Sequence, residues 1–150
     1  MENIDKKSIE DMVRKILAES LSVEKCEFEK HVDVSGVMSV KLDTVKMDKF
    51  ETGKEGDNVL LKDIVTLEES PRLGCGLMEM KETRFDWTLK YDEIDYIIDG
   101  TLEINIDGRK VVGNKGEMIY IPKNSTIEFS VPHYAKFMYV TYPANWAELK

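Results

Sequence analysis

Residues that hold metals are scarce in this sequence. Histidine occurs twice in 150 residues, at His31 and His133. Cysteine also occurs twice, at Cys26 and Cys75, far apart and in no metal-binding spacing. A transition ion wants three or four nitrogen, oxygen or sulfur donors, so no ready ligand set is present. Two separated cysteines suit reduced thiols in a cytoplasmic protein better than a disulfide framework. Positive charge is also in deficit: 21 Lys and Arg face 29 Asp and Glu, a net −8. No basic cluster interrupts this balance, which argues against nucleic acid and anionic membrane as partners. No apolar run approaches the ~20 residues of a membrane span, and no secretory signal is expected at the start. Phosphate-loop, dinucleotide and nucleophile-elbow motifs are missing as well.

What is present is one domain's worth of chain, with 42% hydrophobic and 33% charged residues. The start is helical by pattern. In residues 5–21 the apolar residues Ile9, Met12, Val13, Ile16 and Leu17 form one stripe at i, i+3, i+4, i+7 and i+8. Asp5 or Ser8 would cap it, Ser8 with Asp11 as a variant capping box. The stripe suits packing on the rest of the protein or docking on another protein's groove. Charges of both signs on the other face do not suit a membrane surface.

Beyond residue 32 the period changes to short alternating runs divided by turn residues, which predicts an all-β fold. The runs span residues 37–42, 59–65, 76–81, 85–89, 94–98, 102–106, 118–121, 127–131 and 137–141. Asp99-Gly100 and Asp107-Gly108 read as hairpin turns on either side of the strand TLEINI. Residues 51–58, acidic and glycine-containing, read as an exposed loop. The expected organisation is a helix and linker over 1–25 and a barrel over 26–150.

The stretch WTLKYDEIDYIIDG, Trp87 to Gly100, resembles the first signature of the cupin barrel. Glu93 and Gly100 stand at the family's spacing, whereas Trp87 and Leu89 (or Asp86 and Thr88) replace its two histidines. The run from Gly116 to Val131 resembles the second signature: Gly116 and Pro122 are in register, Asn124 replaces a glycine and Ile127 replaces the third histidine. The resemblance implies a cupin double-stranded β-helix, or jelly-roll, with its metal ligands replaced. Strand alternation then points Phe85, Trp87, Leu89, Ile127 and Phe129 inward, with Glu93, Asp95 and Ile97 on one strand and Phe137, Tyr139 and Thr141 on the last. The substrate pocket is expected at Trp87, Leu89, Tyr91, Ile127, Phe129 and Tyr139. Glu93 and Asp95 are the candidate catalytic pair, since burial and mutual repulsion raise carboxyl pKa values. A structural reading stands beside it: Glu93 is a relic tied to backbone or tyrosine.

The runs FDWTLKYDEIDYIIDGTLEI and YVTYPANW, with GEMIYIPKNS between, resemble the EutQ family of ethanolamine-utilisation proteins. That resemblance implies a cytoplasmic homodimer associated with a bacterial microcompartment. It also implies acetate kinase activity, ATP and acetate giving ADP and acetyl phosphate. Residues 5–21 would then meet shell or cargo proteins, and a longer N-terminal region of some relatives would be missing here. No cofactor is expected to be tightly bound; ATP and Mg²⁺ enter only with kinase activity, with Glu93 and Asp95 able to share one Mg²⁺. The competing reading is a non-catalytic, metal-free cupin acting as a binding or assembly module.

Overall fold

The computed structural model describes residues 6–21 and 27–149, the stretch 17–21 by backbone alone. Cys26, the Asp5 cap and the Leu17 side chain lie outside the described residues. Two compact units divide between Thr44 and Val45. In the first, α1 spans Lys6–Leu21. It begins before Ser8, so Ser8 sits within the first turn and does not cap the helix. Ile9, Met12, Val13 and Ile16 are each 48–60% exposed, so the apolar stripe faces solvent over the described residues. β1 (Lys30–Val32) and β2 (Met38–Val40) follow as an antiparallel hairpin.

The second unit is built on one antiparallel sheet. Its strands are β3 (Asp48–Lys49), β4 (Val59–Asp63), β5 (Gly74–Thr88), β6 (Asp92–Ile106), β7 (Arg109–Asn114), β8 (Met118–Ile121) and β9 (Thr126–Tyr142). They order as β3-β4-β5-β9-β6-β7, with β8 on the other edge of β6's first half. Hence β6 pairs with β8 through residues 93–96 and with β7 through residues 101–106, while β9 runs alongside both halves. Pairs of short runs in the sequence thus merge into single long strands, 15 residues in β5 and β6 and 17 in β9.

The joints are bulges. β5 shifts register between Lys81 and Thr83, where Glu82 has φ 46°. β6 shifts between Ile97 and Asp99 and again between Gly100 and Glu103, on either side of Asp99-Gly100, where Gly100 has φ 75°. Asp99-Gly100 is therefore a bulge inside one strand, not the expected hairpin. Only Asp107-Gly108 turns the chain, with φ 49° and 71° at its two residues, the conformation a tight two-residue hairpin requires. A bulge inserts a residue and sharpens the twist, which bends a long strand around the core. At Gly100 a Cβ would stand 2.0 Å from the Tyr134 carbonyl oxygen. Gly100→Ala is expected to lower stability by about 2 kcal/mol or more, through that clash and the left-handed φ; urea denaturation measures it.

Alternation fills the interior. From Tyr91 to Ile97 on the β6 approach, odd residues are buried and even ones are not. Leu89, Ile97, Leu102, Ile104, Ile127, Phe129, Val131, Phe137 and Tyr139 meet in one core cluster. The loop 51–58 is exposed as expected, except for half-buried Thr52 and for Asp57, which is buried and accepts hydrogen bonds from Thr52 and Thr83.

Candidate functional site

An aromatic cavity opens toward one end of the barrel. Phe50, Leu61, Met78, Phe85, Trp87, Tyr91, Glu93, Phe129, Tyr139 and Trp146 line it. It leaves about 20 Å³ for the centre of a water molecule, room for one or two waters. Four of the six expected pocket residues line this space: Trp87, Tyr91, Phe129 and Tyr139. Leu89 and Ile127 point the same way but lie in the packed core beyond the cavity. The two histidines are both exposed and take no part.

Glu93 is the one acid on the wall, and it is buried. Burial pushes its carboxyl up to about 8. Asp95, two residues on, does not line the cavity; it lies fully buried, paired in register with Ile119 of β8 and Tyr139 of β9. Burial first, then the neighbouring Glu93 charge, raises its carboxyl well above the usual range. Neither Asp95 oxygen has a hydrogen-bond partner, nor has Thr141 Oγ1. Glu93 is the group that couples to Asp95. Burial favours the protonated form of both acids, and with its carboxyl at about 8 Glu93 presents a carboxylic acid O–H to the cavity at neutral pH.

Two tyrosines frame this acid. The Trp87 indole Nε1–H donates to Tyr91 Oη at 2.9 Å. Tyr139 donates its hydroxyl to Asp63 Oδ1 at 2.6 Å, and the Trp146 indole donates to the same oxygen at 3.3 Å. Burial is the chief cause that raises both phenols, with Glu93 adding to Tyr91 and Asp63 to Tyr139. Both remain neutral across the physiological range. The Tyr139 ring fits because residue 76 is glycine: a Cβ there would stand 2.1 Å from the phenol oxygen. Sequence reading missed Asp63, Gly76 and Trp146. An acid closing the apolar run VLLKD, and a tryptophan in a polar C-terminal segment, were the available signals.

The site does not fit a cupin metal ion. Of the family's four ligand positions only Glu93 carries a donor, and among the described residues no three His, Cys, Asp or Glu side chains gather to hold one. Mg²⁺ bridging Glu93 and Asp95 does not fit either. That ion keeps several waters, and the space beside these protonated acids holds one or two.

The family model for the ethanolamine utilisation protein EutQ matches residues 4–148. The chain belongs to the EutQ family. A relative from Clostridioides difficile, named acetate kinase EutQ, is 61% identical over 97% of this chain and 96% of its own length. A relative of the same name from Salmonella typhimurium is 34% identical over 92% of this chain, which spans only 62% of that protein. The solved structure of the Clostridium difficile EutQ protein superposes with a TM-score of 0.80 at 62% identity, covering 83% of this chain and 93% of that one. The cupin fold extends further: the cupin domain of Schizosaccharomyces pombe Cnp3 matches with a TM-score of 0.57 at 12% identity, over 71% of this chain and 74% of that one. In this member of the EutQ family the cupin barrel keeps Glu93 alone of the four metal-ligand positions. No described helix is long and apolar enough to cross a membrane.

Proposed function

We propose that the chain is an acetate kinase acting in ethanolamine breakdown, in the cytoplasm and in association with a bacterial microcompartment. The observation that carries this reading is near full-length identity of 61% to a relative that bears the name acetate kinase. The cavity supplies chemistry that suits acetate. Its aromatic walls take a methyl group, and the protonated Glu93 donates a hydrogen bond to a carboxylate oxygen. So held, the other acetate oxygen bonds to the γ-phosphorus of ATP. The bond from that phosphorus to the β,γ-bridging oxygen breaks, and ADP leaves with the electron pair. Mg²⁺ arrives as part of the MgATP substrate. Burial keeps Glu93 protonated, and Asp95 is its buried partner in the pair.

Purified chain given MgATP and acetate is expected to form ADP and acetyl phosphate, the latter trapped with hydroxylamine. Turnover no greater than the protein-free blank would sink the reading. The second reading, a non-catalytic binding or assembly module, is favoured by one observation: among the described residues no Lys or Arg lines the cavity to neutralise phosphates. The same assay separates the two.

The partners in this reading are a second copy of the chain and shell or cargo proteins. In support of a homodimer, Ile94 and Tyr96 on β6 lie beside Tyr120 and Met118 on β8, each 40–55% exposed, an apolar strip on the sheet's outer face. In support of shell or cargo contact through residues 5–21, the described stripe of α1 is exposed.

A further inference from the structure

The cavity is too small for the substrate assigned to it. Acetate has four heavy atoms, whereas the space holds one or two waters. A larger pocket lies outside, with about 320 Å³ for a water's centre and with Asp63, Thr66, Ser70, Asn145 and Glu148 on its walls. One residue lines both spaces: Trp146.

Trp146 is held differently from most of the cavity wall; Tyr91, in the bend between β5 and β6, is the other lining residue off the strands besides Phe50. Met78, Phe85, Trp87, Glu93, Phe129 and Tyr139 sit on strands of the ladder. Phe50 is tied by its backbone N–H to the Val59 carbonyl at 2.9 Å. Trp146 belongs to a short 3₁₀ turn, Trp146–Glu148, beyond the last strand. Backbone bonds in that turn, Glu148 N–H to Asn145 and Leu149 N–H to Trp146, stay inside the segment. Its indole touches Phe50, Tyr91 and Tyr139 at centroid distances of 5.9–6.2 Å. Its one side-chain bond, at 3.3 Å, goes to an Asp63 oxygen that already accepts the 2.6 Å bond from Tyr139. If the indole leaves, Asp63 keeps Tyr139, Gly76 keeps the Tyr139 ring seated, and the freed indole N–H meets water. The freed indole orphans no buried polar side chain, so the cost of the movement is apolar contact: that of the Trp146 ring, of buried Ala144 and of Leu149, which packs on the core.

We propose that Trp146 is a gate. Movement of residues 143–149 away from the barrel mouth joins the cavity at Glu93 to the outer pocket. The cleft so formed admits a short-chain carboxylate past Asp63. The nature of the ligand rests on the acetate reading above; the gate itself rests on the packing.

Two measurements test the two parts separately. Hydrogen exchange of the two indole N–H groups is followed by NMR on the intact wild-type chain, with Trp87→Phe to assign them. Local opening predicts that the Trp146 indole exchanges at least about 100-fold faster than the slowest β9 amides. Exchange at the same rate as those amides, which reports global unfolding only, overturns the gate. The second measurement uses stopped-flow fluorescence with Trp87 as sole reporter, comparing Trp146→Phe with Trp146→Ala. With the ring kept, the observed rate of acetate binding should reach a plateau set by opening. With the ring removed, it should rise linearly with acetate and exceed that plateau at least about tenfold. Equal rates in the two variants overturn gating of entry. Fast indole exchange with no acetate signal in either variant overturns the ligand and, with it, the acetate reading, while the moving wall stands.

Discussion

Replacing Glu93 by Ala is expected to lower acetate-dependent ADP formation about 100-fold or more, the usual cost of removing one preorganised hydrogen-bond donor from a reacting anion. The effect follows from position. Glu93 is the acid on the cavity wall, and among the described residues no other charged side chain lines it. Burial holds it protonated up to about 8. Above that pH it ionises and repels the acetate carboxylate, so kcat/KM of the wild type should decline on the alkaline side. Glu93→Gln keeps a donor and removes the titration. It should retain activity within about tenfold and lose the alkaline decline. A pH profile of kcat/KM for the three proteins measures both effects. Wild-type turnover in Glu93→Ala would remove the residue from the mechanism.

Asp95→Asn is expected to stabilise the protein at neutral and alkaline pH. Asp95 is fully buried, and neither oxygen has a partner. Its native carboxyl is raised by burial and by Glu93, so the native state holds a proton that the unfolded chain releases above an ordinary aspartate pKa of about 3.9. The native state binds more protons in that window, so wild-type stability falls as pH rises from about 4 toward the raised native value. Asparagine has nearly the same shape and no such proton. The two proteins should therefore be of similar stability near pH 4, with Asp95→Asn gaining about 1–3 kcal/mol by pH 8. Urea denaturation at several pH values measures this. A constant difference across pH would show that the carboxyl's ionisation contributes nothing.

Much of the barrel was legible because its inward face repeats every second residue. Glu93, Asp95, Ile97, Phe137 and Tyr139 follow that period and are all buried. The failures have a common cause in contacts remote along the chain. Asp99-Gly100 and Asp107-Gly108 are the same dipeptide, yet one bends a strand and the other reverses it. What decides is β9: the Tyr134 carbonyl crowds Gly100, while a Cβ at Gly108 would meet open space. The same holds at the site. Alternation places Leu89 and Ile127 inward but says nothing of depth, and they pack beyond the cavity they were expected to line. Asp63 and Trp146 come from segments 83 residues apart and meet over one oxygen, which no period in either segment announces.

The packing of Leu89 and Ile127 has a consequence for the history such a barrel can have. They stand where a cupin would hold imidazoles, and both are almost wholly buried among apolar neighbours. A lone histidine at either position would bury a polar ring without a partner, costing about 1–3 kcal/mol before a second or third ligand existed. Each step back toward a metal site would fold less well than the one before it, and binding energy would arrive only with the last. The apolar filling works as an evolutionary ratchet: a lineage that has adopted it can vary the acid, the phenols and the gate, but cannot return to a metal one substitution at a time.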